Sequence, residues 1–207
     1  IMYQIFPDRF RKGKTKSKLP ENRWYRKWGE MPCYVNGEEK AISTDFFGGN
    51  FVGMKESVGY LKKLHVNVVY SNPICESSKN HRYAAIDYKK LDPVLGTPEE
   101  YNELIEAYHK ASIFYVIDGV LNHVGSDSIY FDRYNEHNSD GAFQSKNSKY
   151  RNWFFIDPND SNNYSCWWGD KSLPKLNYDS DELKDYILGE DGVIHYWYRE
   201  WKVDGIR

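Results

Sequence analysis

The residues Ile113-Phe-Tyr-Val-Ile-Asp118 constrain this chain more than any other stretch. Five apolar positions in succession, closed by one acid, are too short for a buried helix. They suit a parallel strand covered on both faces. Similar runs stand before and after it. Residues 2–6 (Met-Tyr-Gln-Ile-Phe) form an apolar run ended by Pro7, and Val66 to Tyr70 is β-branched. Lys202 to Arg207 begins a fourth strand.

Helical patterns separate these runs. Met54, Val58, Leu61 and Leu64 fall at helical spacing after Gly48-Gly49-Asn50. Pro98-Glu99-Glu100 opens a second helix with Thr97 as its N-cap, and Tyr101, Leu104, Ile105 and Tyr108 lie on one face. Residues 181–200 read as a third helix, interrupted at Gly189, with Leu183, Ile187, Ile194 and Trp197 inward. Residues 11–45 and 71–95 read as loops. Residues 124–178 are rich in Asn, Ser, Asp and aromatics, and read as an insertion.

The order β-α-β-α-β, insertion, α-β predicts a parallel sheet. A doubly wound sheet and a barrel fit this order equally. The polar clusters His81 to Tyr83, Asn122-His123 and Arg207 lie at or just past strand C-termini, where both architectures keep their sites.

Composition narrows the function classes. The net charge of −2, with signs interspersed, is not a nucleic-acid footprint. No run is long and apolar enough to span a membrane. Cys33, Cys75 and Cys166 have no metal-type spacing, and an odd count argues against a disulfide framework. Aromatic residues make up 17%, including 18 Tyr and 7 Trp; a dense core and a cleft stacking on sugar faces both account for this. The chain begins Ile-Met-Tyr-Gln-Ile-Phe, inside a strand, so its true N-terminus is expected upstream.

Several motifs occur in one collinear order: Tyr3 to Phe10, Phe46 to Gly49, Asn80-His-Arg-Tyr83 through Asp87-Tyr88, Leu91-Asp-Pro93 with Gly96, Asp118-Gly-Val-Leu-Asn-His123, Leu173-Pro-Lys-Leu-Asn177, and Val203-Asp-Gly-Ile-Arg207. Together they resemble the α-amylase family of retaining glycoside hydrolases, family 13, in its neopullulanase, cyclomaltodextrinase and α-glucosidase branch. The resemblance implies an α/β fold: part of a (β/α)8 TIM barrel, about its first four strands, with an irregular inserted subdomain after the third. The domain reading is therefore 1–123 barrel, 124–178 insertion and 179–207 barrel continued.

The resemblance also implies residue roles. Arg207 orients a nucleophilic Asp two residues further on. Asp118 supports it as scaffold and is expected to pair with Arg207, since a charge ending an apolar strand is costly alone. His123 and Tyr83 grip the sugar before the scissile bond, with His81 reaching the same cleft. Asn122 and Asn177 are structural. Trp167 and Trp168 either form the insertion's core or wall the cleft. The acidic residue frequent after the tyrosine is here Ala84, expected to loosen the local contacts.

The implied substrate is an α-glucan or maltooligosaccharide, cleaved at α-1,4 and in some relatives α-1,6 bonds. The three carboxylates of the chemistry lie past Arg207, so the 207 residues alone are expected to be inactive. Transglycosylation, or a non-catalytic sugar-binding relative, are the alternatives. Relatives in this branch often dimerise through an N-terminal domain, so the full-length protein is expected to be a homodimer. Calcium in this branch often sits in the loop after the first strand. Here that loop is basic (Arg11 to Lys18) and Asn50 stands where Asp is common, so no cofactor or metal is expected. The compartment stays open, with the cytoplasm favoured over secretion.

Overall fold

The computed structural model describes residues 1–34, 42–138 and 140–207. In chain order the elements are β1 (Met2–Ile5), α1 (Pro7–Phe10), β2 (Trp24–Tyr25), β3 (Asp45–Phe46), α2 (Phe51–Glu56), α3 (Val58–Lys63) and β4 (Val68–Ser71). There follow β5 (Cys75–Ser77), β6 (Ala85–Leu91), α4 (Pro98–Lys110), β7 (Phe114–Ile117), β8 (Cys166–Trp167), β9 (Asp170–Pro174), α5 (Asp181–Leu188), α6 (Val193–Arg199) and β10 (Gly205–Ile206).

Strands β1, β4, β7 and β10 make one sheet in that order. Every pairing is parallel: Met2 meets Val68, Val68 meets Phe114, and Val116 meets Gly205. Each connection carries helices, as parallel neighbours require. One core runs through the structure, from Ile5, Val69, Tyr115 and Ile117 in the strands to Met54, Leu61, Leu104, Ile105, Leu183, Ile187 and Trp197 in the helices. Tyr130, Phe131, Trp153, Phe154 and Tyr164 between β7 and α5 are continuous with it.

Local chemistry fixes the helix starts. Thr97 accepts from the Glu100 amide while the Glu100 carboxylate accepts from the Thr97 amide, a reciprocal capping box with Pro98 at the first turn. Ser180 caps α5 through the Leu183 amide.

Some sequence expectations need correction. The stretch 71–95 is not all loop, because β5 and β6 pair as an irregular antiparallel hairpin. Asp87, Lys89 and Lys90 dilute the strand signal there, although Ala85, Ile86 and Tyr88 are buried. Residues 11–45 include the short parallel pairing of β2 with β3, and 35–41 lie outside the described residues. The interruption expected at Gly189 separates α5 from α6. Gly189 accepts from Gly192 at 2.8 Å in the break, and Val193 rather than Ile194 is buried. Leu64 is 41% exposed and not inward. Strand β7 is also covered unequally: Tyr115 and Ile117 are buried against helices while Phe114 is 58% exposed.

Candidate functional site

All four sheet strands run the same way, so their C-terminal ends share one face. A polar chain crosses that face. Gln4 of β1 donates from Nε2 to the Asn72 carbonyl oxygen Oδ1 at 3.0 Å. Asn72 donates from Nδ2 to the Tyr83 hydroxyl at 3.2 Å, and Tyr83 donates to Asp118 Oδ2 at 2.8 Å. Tyr70 donates to the same oxygen. Arg207 Nη1 lies 3.6 Å from it, so the expected pairing with Asp118 is formed.

The electrostatics of this cluster are one-sided. Asp118 is buried, whereas the Arg207 side chain is 69% exposed and its guanidinium lies 5.5 Å from the Tyr70 ring centre. An ion pair with one partner in solvent contributes little to stability. Its use is to hold a permanent cation in place past β10. Burial, and then the bond to Asp118, raises the Tyr70 and Tyr83 phenols, so both donate at neutral pH.

Burial favours the neutral form of both site histidines. His81 Nδ1 accepts the Tyr83 amide at 3.0 Å, which ties its ring beside Tyr83 with centroids 5.7 Å apart. Burial first, then Lys79, Arg82 and His123, lower its pKa to about 4. Burial also lowers His123, against the opposing pull of the Tyr83 backbone and Asp170. Asn122 Nδ2 lies 3.1 Å from His123 Nδ1, leaving Nε2 buried without a hydrogen-bond partner among the described residues. Buried polar atoms are normally paired, and the Tyr83 backbone is the protein group that favours the protonated ring here.

Leu173 to Asn177 runs beside Asn122-His123. Lys175 bridges His123, and the Leu176 amide donates to Asn122 O at 2.9 Å. Asn177 holds the turn into α5: its amide donates to Trp153 O at 2.7 Å and its Nδ2 to Asn152 O at 3.1 Å. Trp167 packs on the His123 ring with centroids 5.6 Å apart, and Trp168 stands 89% exposed at φ 52°. Phe131, Phe154 and Tyr164, not these tryptophans, fill the core of this segment. Ala84 is buried, and its carbonyl accepts from Ser77 Oγ at 2.6 Å. Sequence reasoning missed Gln4, Asn72 and Tyr70. Their only signal is a hydrogen-bonding group at or near the end of an apolar strand.

The histidine shifts have a stability consequence. Between the ordinary His pKa of 6.5 and the folded His81 value of about 4, the unfolded chain binds more protons. This contribution is therefore fully present above 6.5 and is lost as pH falls toward 4. His123 acts in the same direction, and Asp8, raised by burial, opposes it. Melting at pH 5 is expected below that at pH 7, and His81→Gln is expected to narrow the gap. An unchanged gap would assign the effect to other groups.

The geometry defines a class: a parallel α/β sheet with an aromatic-walled polar site past its strand C-termini. The chain belongs to the alpha-amylase catalytic-domain family, whose model matches residues 4–207. It is 35% identical over 225 residues to the amylopullulanase of Thermoanaerobacterium saccharolyticum, covering 95% of this chain and 17% of that protein. It is 35% identical over 214 residues to the maltogenic alpha-amylase of Bacillus acidopullulyticus, covering 100% of this chain and 33% of that one. The solved ligand-free cyclic alpha-maltosyl-(1-->6)-maltose hydrolase of Arthrobacter globiformis matches at TM-score 0.80 and 30% identity, over all of this chain and 43% of that chain.

Proposed function

We infer that this chain supplies the sugar-gripping part of a retaining glycoside hydrolase acting on α-1,4 glucosidic bonds of starch-type glucans, pullulan or maltooligosaccharides, with α-1,6 bonds as a second class that the assay below tests. The observation that carries this reading is the orphaned, buried Nε2 of His123 on the face where Asp118 is gripped by Tyr70, Tyr83 and Arg207. A hydroxyl-rich ring is the ligand such a surface suits. A neutral imidazole donates or accepts a hydrogen bond without competing charge, and the rings of Tyr83 and Trp167 offer apolar faces. Trp168 extends that wall into solvent.

In this reading Arg207 is a positioning residue. Its charge keeps a neighbouring nucleophilic carboxylate ionised and aimed at the anomeric carbon. A second carboxyl, about 5–5.5 Å from the nucleophile, protonates the leaving oxygen, as retention requires. Asp118 serves as scaffold in this reading: two phenols donate to its Oδ2 and a guanidinium lies beside that same oxygen. Residues 124–178 are read as an inserted subdomain that brings Trp167 over His123.

The test is to assay the full-length protein on maltooligosaccharides and pullulan, following the anomeric configuration of the products by NMR. Release of glucose, maltose or panose with the α configuration kept is the expected result. Inverted products would overturn the double-displacement reading. Binding without cleavage would leave a sugar-binding relative, and products longer than the substrate would mark a transglycosylase.

A further inference from the structure

The loop after β1 is where the family resemblance would place calcium, and the residues present do not fit it. Asn50 is 1% exposed and uses its whole carboxamide. Oδ1 accepts from the Gly13 amide at 3.0 Å and the Gly53 amide at 2.9 Å. Nδ2 donates to the carbonyls of Gly13 at 2.8 Å and Gly48 at 3.2 Å. Calcium takes six to eight oxygen ligands. Here the two carbonyls that could serve already face an N–H donor.

The surroundings repel a divalent cation as well. Residues 11–18 hold Arg11, Lys12, Lys14, Lys16 and Lys18 and no acid. The end of the Lys12 side chain lies over Gly48, where an added Cβ would stand 3.6 Å from Nζ. The carboxylates that meet this segment are taken: Glu100 accepts from the Thr15 hydroxyl at 2.6 Å, the Lys16 amide at 2.7 Å and the Thr97 amide at 3.0 Å, Glu56 pairs with Arg11 at 3.5 Å and Glu21 with Lys18 at 3.9 Å. Backbone packs directly on backbone, since a Cβ on Gly53 would come 2.1 Å from Arg11 O.

We propose that the Asn50 carboxamide, with the Lys12 ammonium over the neighbouring Gly48, closes this loop in the place of a bound divalent cation, so that the fold does not depend on calcium. The amide cross-links two carbonyls from strap and turn, as a cation would, and the lysine supplies the positive charge. Its Oδ1, accepting the Gly53 amide, also caps α2.

The experiment is thermal melting of the full chain, wild type and Asn50→Asp, in EDTA and in millimolar calcium. Wild-type Tm is expected to stay within about 1 °C across both conditions, whereas a micromolar calcium site would raise it by several degrees. Asn50→Asp is expected to lower Tm by about 5 °C, because the new oxygen faces the Gly13 and Gly48 carbonyls. As a plain N-cap, Asp serves as well as Asn, so this loss isolates the two Nδ2 bonds. A wild-type Tm that falls in EDTA or climbs with calcium would overturn the proposal. So would an Asn50→Asp variant that melts with the wild type.

Discussion

Asp92→Ala is expected to destabilise the protein by about 3–5 kcal/mol, the usual result of breaking a buried ion pair from one side. Arg82 Nε donates to Asp92 Oδ2 at 2.6 Å, and the two side chains are 0% and 1% exposed. Arg82 Nη1 donates to Asn80 O at 2.7 Å, and Asp92 Oδ1 accepts the Val94 amide at 2.9 Å. Alanine at 92 would leave a guanidinium that cannot lose its proton in a dry site. The buried Asp8, whose carboxyl this same arginine draws downward, is an incomplete substitute. Replacing both partners with apolar residues is expected to recover much of the loss. Urea denaturation of the full chain measures both changes. A single variant within about 1 kcal/mol of wild type would mean that water reaches Arg82. Arg82 stands between His81 and Tyr83, so the pair also pins the turn that carries two site residues to the loop before α4.

His123→Ala is expected to lower kcat/KM on maltooligosaccharides by about 10²–10³-fold, mostly through kcat. This rests on the proposed function. Hydrogen bonds to sugar hydroxyls that tighten at the transition state appear in kcat, whereas uniform binding appears in KM. The His123 Nε2, buried with no hydrogen-bond partner among the described residues, is the group this reading assigns to such a bond. Steady-state kinetics beside a melting curve separate chemistry from folding. A variant with unchanged kcat/KM would remove His123 from the substrate site.

The fold was legible where local chemistry and global position agree. Thr97, Pro98 and Glu100 announce a helix start, and the structure builds the full capping box there. The Asp118–Arg207 pairing was legible too, because a charge ending an apolar strand needs a partner and the neighbouring strand ends in one. The β5–β6 hairpin was not, since its lysines serve a partly solvated edge and mask the alternation. Gln4 and Asn72 were invisible for another reason. Each is one polar residue in its own segment, and they meet only because β1 and β4 lie side by side. Sequence spacing carries no trace of that adjacency. The tryptophan pair admits two roles in the sequence, core or cleft wall, and the left-handed backbone that turns the Trp168 ring outward has no mark there.

The order of the sheet follows the order of the chain, and this governs what each strand pairing demands of the unfolded polymer. Forming the β4–β7 contact from Val68 to Phe114 closes a loop of 46 residues (114 − 68), while the β7–β10 contact from Val116 to Gly205 closes one of 89 (205 − 116). Loop-closure entropy grows with the logarithm of length, so the near doubling costs only about 0.6 kcal/mol. The long excursion that brings Trp167 over His123 is thus almost neutral to the assembly of the sheet. Length and content between β7 and α5 can drift with little effect on strand register, which leaves this connection as the place where ligand preference can change while the scaffold stays as it is.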